Sequence, residues 1–137
     1  MDETAPDNFP APQATLQRLR ELRRPLLHLH KTLLDTECAD YEQVHGRVTS
    51  GELLQLVIGH EQFAWLHSIS ELIVRVDEML DADEPTTATD ADSTLSRTRA
   101  LLKPLETGNG FEQKYYAALQ RSPDAVLAHR DVTKVLA

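Results

Sequence analysis

Three side chains of one helical segment have the chemistry to bind a metal ion or to exchange protons. His30, Glu37 and Tyr41 follow one another at intervals of seven and four residues, and such intervals place side chains on one face of an α-helix. With Leu16 as the origin and a helical rotation of about 100° per residue, they fall at about 320°, 300° and 340°. These angles lie within or beside the arc of the segment's leucines. An imidazole, a carboxylate and a phenol there can ligate a transition metal or act as acid and base.

His129 is the fourth candidate. In the last helical segment it shares a broad arc with small and apolar residues, which are Ala125, Val126, Ala128, Val132 and Leu136. If this segment packs on the first one, His129 meets the other three side chains in a metal site built from His30, Glu37, Tyr41 and His129. The alternative is a ladder of buried hydrogen bonds, with Glu37 paired to an arginine of a neighbouring helix. We favour the ladder and expect no cofactor, with a transition metal as the alternative.

Four arginines form the main basic cluster, namely Arg18, Arg20, Arg23 and Arg24. One interpretation is contact with phosphate groups of a nucleic acid or with another acidic partner. The other is the solvated flank of an amphipathic helix, where arginine stems cover apolar surface. No aromatic residues are interleaved with the cluster and no groove-reading motif accompanies it, which favours the solvated flank over nucleic-acid binding.

The sequence provides little support for catalysis. Cys38 is the only cysteine, so the chain forms no internal disulfide and no four-sulfur zinc site. No base lies near Cys38 on its helix to lower the pKa of the thiol and make it a nucleophile. We find no phosphate-binding glycine loop, paired-histidine zinc motif, nucleophile elbow or calcium loop. The pattern therefore favours a non-catalytic protein.

The elements that position these side chains are helices. Apolar residues recur at spacings of three and four, and no run alternates as a half-buried strand would. The spacing predicts helical segments from about Gln13 to Val44, about Ser50 to Leu80, about Ser93 to Leu105, and Phe111 to Leu136. Short connectors between them favour antiparallel neighbours. We therefore expect an all-α fold, either a four-helix bundle or a close irregular relative.

Local signals divide these segments further. Pro25 lacks a backbone donor, so we expect a kink or break near it. Gly59 predicts an irregularity in the second segment. Thr49 and Asn109 each precede a glutamate by three residues, as in a capping box. Ser122 is followed by proline and aspartate, which is typical of a helix start.

Length and charge indicate a single domain. The chain has 137 residues, of which 41% are hydrophobic and 26% charged, which is enough apolar material for one core. The net charge of -8 is concentrated in residues 1–12 and 77–92, where no base occurs. We expect a disordered leader at 1–12 and one helical domain at 13–137 with an acidic mobile loop at 81–92. No apolar run is long enough for a membrane span, and no signal peptide is evident, so we expect a cytoplasmic protein.

The second segment contains more apolar residues than one face of a small bundle can bury. Five of the six residues from Leu53 to Ile58 are apolar. A surplus of this kind is typical of an interaction surface. The expected interface comprises Leu53, Leu54, Val57, Phe63 and Trp65, with Trp65 or Phe63 as the aromatic anchor.

Parts of the chain resemble a group of small, uncharacterised bacterial helical proteins. The similar stretches are Leu53–Leu56, Phe63–Leu66, Ser70–Glu78 and Tyr116–His129, and the resemblance extends roughly from Leu16 to Leu136. This resemblance implies that the sequence pattern is bacterial, and it implies no activity, ligand or partner.

Three hypotheses of function follow. The first is a non-catalytic helical protein that acts through protein–protein contact and associates with itself, as a homodimer in the simplest case. The second is a metal-binding bundle of histidines and carboxylates. The third is phosphate contact through the arginine cluster.

Overall fold

The protein is an all-α helical bundle. A computed structural model describes residues 9–137. Six α-helices and one 3₁₀ helix follow in the order α1 Gln13–His45, α2 Ser50–Gly59, the 3₁₀ helix Glu61–Leu66, α3 His67–Asp81, α4 Ala88–Leu101, α5 Gly110–Arg121 and α6 Pro123–Leu136. Within this range the extended backbone pairing consists of one isolated bridge between Pro10 and Thr87. No helix of residues 9–137 has both the length and the apolarity needed to cross a membrane.

The long helix α1 occupies the centre of the bundle. It packs most extensively against α6 and also contacts α3 and α4. Its leucine stripe is completely buried and consists of Leu19, Leu22, Leu26, Leu29 and Leu33. The predicted bounds of this helix are confirmed to within one residue, but the stripe stops before its end, because Val44 is 78% exposed. A bundle built around one helix of 33 residues and shorter partners is an irregular relative of the four-helix bundle.

The break considered at Pro25 does not occur, because α1 is one helix on both sides of this residue. Proline removes one backbone hydrogen bond from the helix. The leucines on both sides of Pro25 enter the same core, and their burial outweighs that loss. Local propensity is overridden here by packing.

The irregularity predicted at Gly59 is confirmed. Helix α2 ends at Gly59, and His60 has extended backbone angles of φ -88° and ψ 137°. The Nδ1 atom of His60 then accepts a hydrogen bond from the backbone amide of Gln62, at 3.0 Å, and thereby caps the 3₁₀ helix. The chain therefore changes direction between α2 and α3.

The acidic segment differs from the mobile loop predicted at 81–92. The connection is limited to residues 82–87, because α4 already begins at Ala88, and Ala91 is fully buried. The hydroxyl of Thr87 accepts a hydrogen bond from the amide of Asp90, at 3.1 Å, which caps α4 one turn earlier than expected.

Part of the leader predicted at 1–12 is also ordered. The amide of Ala11 donates to the carbonyl of Thr86 at 2.8 Å, and the amide of Ala88 donates to the carbonyl of Phe9 at 2.7 Å. These bonds fasten the start of the described chain to the connection between α3 and α4. The rest of the predicted leader, residues 1–8, lies outside the described residues.

The last two predicted segments are largely correct. Helix α4 ends at Leu101, earlier than Leu105, because Pro104 disfavours helical backbone in the residue before it. Asn109 forms the predicted capping box at the start of α5, and Thr49 forms the one at α2. The hydroxyl of Ser122 accepts from the amide of Ala125 at 3.1 Å, so α6 restarts where expected.

Candidate functional site

His30 lies at the contact of α1 with α3. Its Nε2 atom is 2.8 Å from the hydroxyl oxygen of Ser70, with which it shares a hydrogen bond. Burial lowers the pKa of His30, and the nearby His67 lowers it further. The ring is therefore neutral at pH 7, as a metal ligand or a base must be. Its hydrogen-bond partner is Ser70 of the neighbouring helix.

Glu37 lies two helical turns further along α1 and faces the 3₁₀ helix. One carboxylate oxygen accepts from the side-chain amide of Gln62 at 3.0 Å, and the other accepts from the indole N–H of Trp65 at 3.1 Å. The arginine that we expected as the partner of Glu37 is replaced by these two neutral donors. The carboxylate consequently joins α1 to the 3₁₀ helix.

Tyr41 belongs to an aromatic cluster at the end of α1. Its ring stacks on His45 with centroids 4.2 Å apart and meets His60 edge-on at 5.5 Å. It also contacts the ring of Phe63 at 6.2 Å. Offset and edge-on contacts of this kind stabilise a helix junction.

His129 contacts a different element. Its Nδ1 atom is 2.6 Å from the hydroxyl of Tyr115, which is fully buried on α5. Burial lowers the pKa of His129 and raises that of Tyr115. The pair therefore joins α5 to α6 as a neutral imidazole and a protonated phenol.

The four predicted metal ligands thus have separate partners. In residues 9–137, no three histidine, cysteine, aspartate or glutamate side chains converge on one position suited to a metal ion. The contacts of His30 and Glu37 are hydrogen bonds between neighbouring elements. Such bonds are typical of the hydrogen-bond ladder that is the alternative to a metal site.

The arginine cluster is divided between several surroundings. Arg23 forms an ion pair with Asp77 of α3, and a guanidinium N–H of Arg20 lies 3.4 Å from the amide oxygen of Gln17. Arg18 is half-buried beside a cavity that Asp92 also lines, whereas Arg24 is exposed. Of these four cations, Arg23 alone forms an ion pair within residues 9–137.

Cys38 is half-buried on α1. Burial raises the pKa of its thiol, and the negative charges of Glu42 and Asp35 raise it further. The thiol is therefore protonated at neutral pH, which agrees with the sequence-based expectation of an unreactive cysteine.

The residues of the predicted interface range from buried to exposed. Phe63 is fully buried, so its assignment as an interface anchor is wrong. The sequence pattern marked it as apolar, but only the turn at His60 directs it into the core. Trp65 is half-buried, with its ring 5.4 Å from that of Phe111. Leu53 and Val57 pack partly against the core, while Leu54 remains 57% exposed.

Helix α2 lies on the outside of the bundle. None of its residues is buried, although Leu53, Leu56 and Val57 pack against the core from one side. A contact that we did not foresee holds its far end, because the Nε2 atom of His67 is 2.8 Å from the carbonyl oxygen of Val57.

The outer face of α2 is apolar and open. Leu54 and Ile58 are four residues apart and are 57% and 63% exposed, and Gly51 and Gln55 share their face by helical spacing. A methyl group built on Gly51 would meet no atom within 4 Å. We call the face formed by Gly51, Leu54, Gln55 and Ile58 the α2 surface.

No protein-family model matches this chain, and no curated protein and no solved structure matches it.

Proposed function

We propose that this protein acts through protein–protein contact and associates with a second copy of itself through the α2 surface. The supporting observation is that Leu54 and Ile58 are 57% and 63% exposed on a helix that has no buried residue. Removing apolar surface from water contributes about 25 cal/mol for each Å². Association offers these two side chains the burial that their own bundle does not provide.

A two-fold axis suits the shape of this surface. Most homodimers place one patch against itself, and a two-fold axis perpendicular to a single helix makes an antiparallel pair. With the axis between Leu54 and Gln55, Ile58 of one copy faces Gly51 of the other. The missing side chain of Gly51 leaves room for the isoleucine, so the two helices can approach closely.

The charges at the ends of α2 are complementary in the same arrangement. Arg47 is exposed just before α2 and Glu61 is exposed just after it. Neither forms an ion pair within residues 9–137. An antiparallel pair brings the Arg47 end of each copy beside the Glu61 end of the other, so opposite charges approach one another twice.

The proposed contact is small, and its strength follows from its size. Helix α2 has 10 residues and is about 15 Å long. Such a helix covers less than the roughly 800 Å² per partner that stable complexes bury. We therefore expect a reversible dimer with a dissociation constant on the order of 10 µM or weaker.

Sedimentation equilibrium over micromolar to millimolar protein tests this proposal. Leu54→Glu and Ile58→Glu each place a charge in the contact and are expected to weaken the dimer at least about tenfold. Val126→Glu is the matched control, because Val126 is 45% exposed on α6 and its loss leaves the α2 surface intact. A parent protein that is monomeric at 1 mM, or equal weakening by all three variants, would contradict the proposal.

A charge exchange tests the antiparallel arrangement separately. Arg47→Glu and Glu61→Arg each bring like charges together and should weaken the dimer. The double variant restores opposite charges and should recover the parent affinity. If the double variant is weaker than both single variants, the antiparallel orientation is wrong.

The other two hypotheses have less support from the contacts. The proposed metal ligands are divided among separate partners. Arg23 of the basic cluster is paired with Asp77. We therefore retain the non-catalytic, self-associating protein as the proposed function.

A further inference from the structure

A surface cavity of about 360 Å³ lies where the end of α4 meets α6. Its lining consists of Arg99, Leu102, Lys103, Pro104, His129, Thr133, Leu136 and Ala137. The volume is within the range of about 300–1,000 Å³ that is usual for small-ligand sites. A larger cavity of about 820 Å³ beside α1 is less suited to an anionic ligand, because both of its cations already pair, Lys31 with Asp35 at 3.0 Å and Arg121 with Asp40 at 2.6 Å.

Two cations line the smaller cavity, and no Asp or Glu side chain belongs to its lining, although Arg99 also borders the cavity lined by Arg18 and Asp92. Arg99 and Lys103 form no ion pair within residues 9–137. The Nε–H group of Arg99 donates to the backbone carbonyl of Leu136 at 2.9 Å. This bond holds the guanidinium at the cavity and leaves its terminal N–H groups for another acceptor.

His129 adds a third donor, and its hydrogen bond to Tyr115 determines which nitrogen carries the proton. Burial raises the pKa of Tyr115, so its hydroxyl stays protonated and donates to Nδ1 of His129. Burial also lowers the pKa of His129, so the ring is neutral at pH 7. A neutral ring that accepts at Nδ1 carries its proton on Nε2. That N–H lies on the side of the ring opposite Tyr115.

Most of the remaining lining is apolar, and the exception is Thr133, whose hydroxyl donates to the carbonyl of Arg130 at 2.9 Å. Leu102 and Leu136 are 3% and 6% exposed and form a well-packed base, and Pro104 adds a further apolar wall. A fully hydrated inorganic ion gains nothing from these three residues, whereas a hydrocarbon chain does.

We propose that this cavity binds a small organic carboxylate, whose head group contacts Arg99, Lys103 and His129 and whose hydrocarbon chain packs on Leu102, Pro104 and Leu136. The chemical class is a monocarboxylate with an unbranched apolar chain. The three donors in the lining recognise the anion, and the apolar residues distinguish it from phosphate or sulfate. This site is separate from the α2 surface and does not depend on self-association.

NMR titration of the parent protein with octanoate tests the proposal, and inorganic phosphate is the comparison ligand. We expect saturable 1:1 binding of octanoate, with the largest shifts at His129 and Lys103. Arg99→Gln combined with Lys103→Gln removes both cations and should weaken binding about tenfold or more. Arg20→Gln combined with Arg24→Gln removes the same charge from exposed positions of α1 and should leave the affinity unchanged.

Three results would overturn the proposal. These are no saturable binding of octanoate to the parent protein, phosphate binding that is as strong as octanoate binding, and octanoate binding that survives removal of both cations. Lys103→Gln alone changes one exposed side chain. Its octanoate affinity therefore tests the role of one cation even if the double variant unfolds. Leu54→Glu separates this site from the α2 surface, since it should weaken the dimer while octanoate still binds.

Discussion

At the scale of single residues, the polar side chains on the inner faces of the helices act as connectors. His30 reaches Ser70 of α3, Glu37 reaches Trp65 of the 3₁₀ helix, and His129 reaches Tyr115. Within residues 9–137, no fully buried side-chain nitrogen or oxygen lacks a hydrogen-bond partner. Each bond spans two elements, so each of these residues helps to define how the helices pack.

The two half-buried histidines predict a loss of stability in mild acid. Burial lowers the pKa of His30 and of His129 in the folded protein below the ordinary value of 6.5. The unfolded chain therefore binds more protons than the folded one just below pH 6.5, and the free energy of unfolding falls as the pH decreases through this range. Urea unfolding at pH 7.0 and pH 5.5 measures this decrease.

Substitution of the two histidines checks that they cause the effect. The combined change His30→Gln and His129→Gln should make the free energy of unfolding less dependent on pH between 7.0 and 5.5. His28→Gln is the matched control, because His28 is an exposed histidine on the same helix as His30, and it should preserve the dependence. Equal pH dependence in all three proteins would be evidence against this role.

At the scale of elements, local sequence signals determine where most helices begin. Thr49, Asn109 and Ser122 each accept a hydrogen bond from an amide of the first turn, and each bond satisfies a donor that the helix itself leaves free. Glu52 completes the capping box of α2, and the bonds from Thr49 lower the pKa of its carboxyl. Such signals act over three or four residues and can therefore be recognised without the fold.

Pro25 removes a backbone hydrogen bond from the interior of α1, and the tertiary structure tolerates this loss. Pro25→Ala restores a backbone donor for the carbonyl of Glu21, so we expect the free energy of unfolding to rise by up to about 3 kcal/mol. Urea unfolding at pH 7 measures the change.

Pro123→Ala is the matched control. Pro123 occupies the first position of α6, where a backbone donor has no partner in the helix, and its fixed φ favours the helix start. The control should therefore yield no gain. A loss of stability in Pro25→Ala would mean that the proline ring contributes more by packing than its missing hydrogen bond costs.

At the scale of the whole molecule, stability depends on α1 because three other helices pack around it. Leu29 is fully buried, whereas Leu27, two positions earlier on the same helix, is 38% exposed. Leu29→Ala should lower the free energy of unfolding by about 2–5 kcal/mol, because it leaves a cavity. Leu27→Ala should change it by at most about 1 kcal/mol.

Thermal and urea unfolding of these two variants checks the assigned orientation of α1. The pair is informative because both changes remove the same atoms from the same helix, so propensity cancels. Similar losses in the two variants would show that α1 does not present the leucine stripe to the core in this orientation.

The sequence by itself determined the helical class, most helix starts and the leucine stripe of α1. These properties depend on residues within one or two turns of one another, and the phase of a helix about its own axis follows from a period of 3.6 residues. It also placed His30 and Glu37 toward the inner side of α1, where they lie half-buried. The surplus of apolar residues in α2 was evident for the same reason.

Only the tertiary structure decided which partner each of these residues meets. Helical phase predicts a direction, and it does not predict which element lies in that direction. The turn at His60 buries Phe63, exposes Leu54 and brings Trp65 to Glu37. The bonds between the segment at Phe9–Ala11 and the connection before α4 likewise join residues far apart in the chain. Contacts of this kind depend on how helices dock, because docking is determined by the burial of all apolar faces together rather than by any local pattern.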